Sequence, residues 1–345
     1  MMAATALVAA GLAPPGAPPS APQPEPTRLS IAASGDFLIH GPVAARALAN
    51  GGGARYEFAP MFAPIRRWIE AADLAICHVE TPLVPGPATG YPIFRTPPDL
   101  ARAIRETGWD VCSTASNHSL DVGQYGINST IRTLRRFGIP FDGTARSARG
   151  RREFPVVEIR GIRIAFLAYS DVSNGQFVPH PWSVNWASAR RILADARSAR
   201  EQGANAVIVN LHWGAEYQHA PTPDQMALAR RLTRSRDVTA IVGQHVHVVQ
   251  PIRRVNGKIV VFGEGNLVSN QTAACCPAES QDGLIALLDL EVRPTGARVR
   301  RARYVPVWVR HPDYAVMPAP AHSWRRTVSV VGRRDYLQPV PRRAP

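Results

Sequence analysis

Short apolar runs rich in β-formers alternate along this chain with amphipathic stretches of helical period. Runs that read as strands cover residues 29–34, 74–79, 111–114, 162–169, 206–210, 239–242 and 259–262. Helical patterns lie between them at 61–71, 98–107, 127–137, 186–202 and 224–235, several closed by a glycine (Gly108, Gly138, Gly203). Glycine ends helices because it takes positive φ at no steric cost. The alternation predicts an α/β fold of largely parallel sheets flanked by helices, joined by right-handed crossovers. Residues 284–309 switch to a period of two around Pro294-Thr295-Gly296, which predicts a C-terminal β-hairpin closing the sheet. After Arg310 the pattern fades into a Pro/Arg-rich tail. The expected organisation is therefore a lead and tether at 1–27, one domain at 28–310 and a tail at 311–345.

The lead at residues 3–13 is apolar but far shorter than the roughly 20 residues of a spanning helix. No Lys or Arg precedes it, so only half of a signal peptide is drawn. Seven prolines follow within residues 14–26, which favours an extended tether. This combination is expected of an exported or membrane-associated domain. A tail with no address, on a cytoplasmic protein, is the alternative.

Composition changes the picture less than its extremes suggest. The chain has 345 residues, 45% of them hydrophobic, so a sizeable core can form. Its net charge is +14, yet all but Lys258 of the 40 basic residues are arginine, which points to composition at large rather than to phosphate contacts. No helix-turn-helix, zinc-finger or RNP pattern is present, and nucleic acid is not an expected partner. Cys77 and Cys112 fall in apolar runs and read as free core thiols. Cys275 and Cys276 are adjacent, where a mutual bridge is strained.

In open α/β folds ligands bind beyond the carboxyl ends of the strands. At those ends this chain places Gly35-Asp36, then His78-Val79-Glu80, then Asn117-His118. Further on come His212-Trp213-Gly214-Ala215-Glu216-Tyr217, His245-Val246-His247 and Gly263-Glu264-Gly265-Asn266. Each residue alone has an ordinary reading: Asp36 as a cap, His78 as a core histidine, Asn117 as a turn residue, Trp213 and Tyr217 as packing aromatics, Glu216 as an arginine partner. Together, at successive strand ends, they form an N/O donor set suited to Zn, Mn, Fe or Mg. Two cations bridged by a carboxylate would clamp a phosphate oxygen and acidify a water, with His118 as general acid. Trp213, Glu216, Tyr217 and Asn266 are expected to meet the substrate. His40, His180, His219, His311 and His322 are expected in surface or loop roles.

In this order, these segments resemble the CapA-type poly-γ-glutamate capsule biosynthesis family, over about residues 29–290. The resemblance rests on Gly35-Asp36, on the run from Asp73 to Leu83 containing His78 and Glu80, and on Asn117-His118-Ser119-Leu120-Asp121-Val122-Gly123. It also rests on His212-Trp213-Gly214-Ala215-Glu216-Tyr217, on Gly243-Gln244-His245-Val246-His247 with Gln250-Pro251, and on Gly265-Asn266. It implies a calcineurin-like metallophosphoesterase fold and two divalent ions. Asp36, Glu80, Asn117, His212, His245 and His247 stand at the family's metal positions, His118 at its acid, and Asp121 at the carboxylate that orients the acid. His78 stands where the family usually has Asn and adds a candidate ligand. Ser116 replaces the first Asn of an Asn-Asn-His. Gln244 and Val246 replace His and Pro of a Gly-His-His-Pro-His run. Glu264 adds a carboxylate, a further candidate catalytic group.

Three functions are consistent with this reading. One is a metal-dependent hydrolase acting on a phosphoester. Another is a non-catalytic subunit that binds an anionic polymer, alongside other capsule-synthesis subunits at a membrane. The last is acid–base chemistry on a peptide or amide, with His118, Glu264 or His78 carrying protons.

Overall fold

The structure is a computed structural model that describes residues 25–342. The tether expected at 1–27 falls almost entirely outside that span. Chain order begins with β1 (Thr27–Phe37), α1 (Gly41–Asn50), α2 (Ala59–Phe62), α3 (Arg66–Glu70), β2 (Leu74–Val79), α4 (Asp99–Thr107), β3 (Val111–Ser113), α5 (Gly123–Arg136) and β4 (Phe141–Asp142). A second stretch holds β5 (Val156–Ile159), β6 (Ile162–Ser170), α6 (Ala189–Glu201), β7 (Ala206–His212), α7 (Pro223–Arg234), β8 (Ala240–Gln244), β9 (Ile252–Val255) and β10 (Lys258–Val261). The chain ends with β11 (Asn266–Val268), β12 (Asp282–Arg293), β13 (Gly296–Arg310), β14 (Ala315–Pro318), α8 (Ala321–Val331) and β15 (Leu337–Pro339).

These strands make two mixed sheets with parallel centres. The first runs β14-β13-β12-β1-β2-β3-β4, with β11 beside β1 and β15 beside β13. The second runs β5-β6-β7-β8-β10-β9. Period-two alternation decides how they meet. Leu29, Ile31 and Ala33 of β1 share one buried layer with Ile164 and Phe166 of β6, Ala206 and Ile208 of β7, and Ala240 and Val242 of β8. The opposite face of the first sheet is covered by α1 to α4 through Val43, Phe62, Ile69 and Ile104. The opposite face of the second is covered by α6 and α7 through Ile192, Ala196 and Leu232. At one edge the buried Asp142 accepts from the backbone N–H of Ala168 (2.7 Å) and the Asn185 amide (3.1 Å), tying β4 to β6.

Local chemistry sets the element ends. Thr222 caps α7, and Gln225 returns the bond to the cap, with Pro223 pre-set at the first helical position. Gly108 closes α4 at φ 108°. The helix expected over 61–71 is broken into α2, a 3₁₀ turn and α3, because Pro64 carries no N–H for an i→i−4 bond. The hairpin at 284–309 forms as β12 and β13 with Arg293 opposite Gly296. Where the pattern fades beyond Arg310, β14, α8 and β15 add to the first sheet and its cover.

Cys77 and Cys112 correct the sequence reading. They are register partners on the parallel strands β2 and β3, and the structure joins them as a disulfide with Cα atoms 4.5 Å apart. A parallel register points both side chains to one face, which single-strand patterns do not reveal. Cys275 and Cys276 remain free thiols. The parallel strands of both sheets direct their carboxyl ends to the same end of the sandwich, and the polar residues gather there.

Candidate metal centre

Asp36 is the penultimate residue of β1, His78 is on β2, Glu80 follows it, and Asn117 lies in the loop after β3. His212 ends β7, and His245 and His247 follow β8. All seven are buried, and the structure brings them together. His212 Nδ1 lies 3.0 Å from His78 Nε2, and its Nε2 lies 2.8 Å from Asn117 Oδ1. His247 Nδ1 lies 3.2 Å from Asp36 Oδ2, and its Nε2 lies 3.8 Å from Glu80 Oε1. Three sets of donor atoms converge within 4.8 Å of one another: Asp36, His78 and His212; Asp36, Glu80 and His247; Glu216, His245 and His247.

The loop after β8 is bent to do this. His245 and His247 hold φ of 91° and 57°, left-handed conformations that cost a non-glycine residue on the order of 1–3 kcal/mol each. The backbone N–H of His245 is directed at both oxygens of Asp36 (3.3 Å). Such strain at two histidines is of the kind that clusters at functional sites.

The electrostatics are those of a site short of positive charge. Burial pushes His78 down to about 4, His245 to about 3 and His212 well below its ordinary value, so all three imidazoles are neutral and keep a lone pair. Burial likewise pushes Glu80 well above the carboxylate range, and both its oxygens lack a hydrogen-bond donor. Burial opposes charge on His247, but the carboxylates of Glu80 and Asp36 outweigh it and lift it to about 9. An orphaned buried polar group costs about 1–3 kcal/mol. Orphans at Glu80 Oε1 and Oε2 and at His245 Nδ1, buried among imidazole and carboxylate groups, fit a divalent cation as the missing partner.

His118 stands beside this cluster. Its Nδ1 is 2.9 Å from Asp121 Oδ2, and Asp121 also accepts from the backbone N–H of Phe94 (2.8 Å) and from Gln176 Nε2 (2.8 Å). An acceptor-only carboxylate holds the imidazole proton on Nδ1 and leaves Nε2 for chemistry. Ser116 stitches the loop, donating to the Glu80 carbonyl (2.6 Å) and accepting from the His118 N–H (3.0 Å).

Other expected site residues fall elsewhere. Trp213 is fully buried on the far face of the second sheet, stacked on Phe262 with its indole N–H on the Phe262 carbonyl (2.8 Å), so it meets no substrate. Asn266 is equally buried, with Oδ1 3.0 Å from His247 Nδ1, so its side chain is closed off from a substrate. Glu264 is fully buried too, accepting from Gln244 Nε2 (2.7 Å) behind the cluster, out of reach of a substrate. Glu216 is exposed and Tyr217 half-buried at the rim. Sequence reasoning missed Phe94, Asn174, Gln176 and Gln271, polar or aromatic loop residues with no periodic signal. His40, assigned to the surface, is half-buried edge-on to Phe94, which in turn packs on His118.

Two face-to-face mixed sheets carrying such a cluster at their carboxyl ends define the calcineurin-like metallophosphoesterase architecture. The fold is similar to the calcineurin-like phosphoesterase YfkN from Bacillus subtilis, with a TM-score of 0.53 at 16% identity, covering 88% of this chain and 96% of that one. The chain belongs to the family described as bacterial capsule synthesis protein PGA_cap, whose model matches residues 30–271. Among curated relatives it is 28% identical to the capsule biosynthesis protein CapA of Bacillus anthracis, over 50% of this chain and 43% of that protein. It is 26% identical to a probable polyglutamine synthesis accessory protein of Mycobacterium tuberculosis, over 58% of this chain and 56% of that protein. The chain thus spans about half the length of the curated relatives it matches.

Proposed function

We propose that this protein is a divalent-metal-dependent hydrolase of phosphoester-class bonds that serves the assembly of an anionic capsule polymer. The observation that carries this reading is the convergence of Asp36, Glu80, Asn117, His212, His245 and His247 beside a His118–Asp121 pair. Those six side chains would hold two cations, Asp36 being common to two of the three donor sets and His247 joining the Asp36–Glu80 set to the His245 set. When bound, the cations supply Lewis acidity and lower the pKa of a bound water. His118, as the imidazolium, would give the proton on its Nε2 to the leaving oxygen while Asp121 holds the Nδ1–H and so fixes the ring. Glu216 and Tyr217 at the rim orient the substrate. The charge of +14 favours an anionic one. Among the described residues no helix is long and apolar enough to cross a membrane. The apolar lead and proline tether of residues 1–27 support an extracytoplasmic or membrane-associated setting.

One observation favours a second reading, a polymer-binding subunit without catalysis. A cavity of about 460 Å³, lined by Arg200, Arg236, Lys258, Arg293 and Arg298 around Glu291, which pairs with Arg293 and Arg298, opens at the amino ends of β8 and β10, away from the cluster. Both readings meet one experiment. The full chain, stripped by chelator and reloaded with manganese or zinc, is assayed on aryl phosphomonoesters and phosphodiesters. Turnover that returns with metal is expected. A loaded protein without turnover overturns the hydrolase and leaves the polymer-binding subunit.

A further inference from the structure

We infer that His78 is a cation ligand shared with Asp36 and His212, and that it makes the centre selective for borderline cations such as zinc or cobalt over manganese and magnesium. This rests on the metal-centre reading above and adds its selectivity. His78 lies on β2 beside Ser113 of β3, fully buried between the two sheets. Its Nε2 is 3.0 Å from His212 Nδ1 and 3.9 Å from Asp36 Oδ1. Tetrahedral donors at zinc–nitrogen distances of 2.0–2.1 Å stand about 3.3 Å apart, between those two spacings.

The His212 tautomer makes the case specific. Asn117 orients its amide by donating Nδ2 to Asn174 Oδ1 (3.1 Å), which turns Oδ1, an acceptor only, toward His212 Nε2 at 2.8 Å. The His212 proton therefore sits on Nε2, and Nδ1 presents a lone pair to His78. The His78 and His212 rings are 4.9 Å apart and tilted by 31°, with their nitrogens edge to edge. His78 Nδ1 has no partner, so Nε2 is the one nitrogen of this ring with polar neighbours, and it faces His212 and Asp36. Two imidazole nitrogens and one carboxylate oxygen then converge on one point. Imidazole donors suit zinc, iron, nickel and copper, whereas oxygen donors suit magnesium and manganese.

The test is competition between metals. Stripped full-length protein is dialysed against equimolar zinc and manganese, and bound metal is measured for the wild type, His78→Asn and His78→Phe. His78→Asn exchanges a nitrogen for an oxygen donor; His78→Phe removes the donor. The zinc-to-manganese ratio should fall at least about tenfold in both, and the visible absorption of the cobalt-loaded protein should change. An unchanged ratio and spectrum overturn the inference, His78 then being only a hydrogen-bond donor to His212. A wild type that binds neither metal overturns the metal centre itself. If the variants do not fold, proton resonances of the cobalt-loaded wild type decide: four shifted imidazole N–H signals are expected, and three contradict.

Discussion

Replacing His118 with alanine should leave metal content unchanged and lower kcat on a phosphoester by about 10²–10⁴-fold, the usual worth of a positioned general acid. The separation of the two effects follows from the geometry. Nδ1 is committed to Asp121 at 2.9 Å, and none of the three converging donor sets includes His118. Alanine there removes a proton donor and no ligand. Asp121, held by Phe94 and Gln176, fixes the ring, so Asp121→Asn should cost less than His118→Ala while also sparing the metal. Steady-state kinetics beside elemental analysis checks this. Parallel loss of metal and activity in His118→Ala would assign His118 to the metal site instead.

Cation affinity should climb about tenfold for each pH unit between about pH 6 and 8. Without metal, burial pushes Glu80 well above the carboxylate range, and Glu80 and Asp36 lift His247 to about 9, so the Glu80–His247 pair holds at least one proton throughout that range. A cation needs the His247 lone pair and must displace that proton. Raising the pH removes the competitor, so binding tightens as pH rises and levels off above about 9. His78 and His245, pushed down by burial to about 4 and 3, hold no proton in this range and do not contribute. Calorimetry in buffers of different ionisation enthalpy should find at least about one proton released per chain near pH 7, from the Glu80–His247 pair. A pH-independent affinity with no proton release would contradict the charge balance described for Glu80 and His247.

Most of what positions the centre was legible in one dimension. Period-two runs gave the parallel strands, and the residues after them gave Asp36, Glu80, Asn117, His212 and the His245–His247 pair, because strand carboxyl ends in such folds share an edge. The same periodicity, applied one residue further, separates Trp213 from His212. Neighbours on a strand face opposite ways, so an inward His212 sends Trp213 into the layer beneath α6 and α7. Register stayed hidden, since Cys77 and Cys112 meet only once β2 lies against β3. Loop contacts stayed hidden as well: Gln176 reaches Asp121 across 55 residues, and Asn174 reaches Asn117 across 57. No local pattern marks such partners. Asn266 and Glu264 were found by position but misread in role, because burial depends on what covers a strand end.

The central claim is that the buried side chains at this sheet edge hold divalent cations. Elemental analysis of the wild type beside a His245→Ala, His247→Ala double variant, both dialysed against the same zinc or manganese, tests it most directly. Circular dichroism first establishes that both are folded. The wild type should retain up to about two equivalents, the number such a bridged site holds, and the double variant should lose most of its metal. Equal metal in the two proteins would show that the cations, if bound at all, are bound somewhere else.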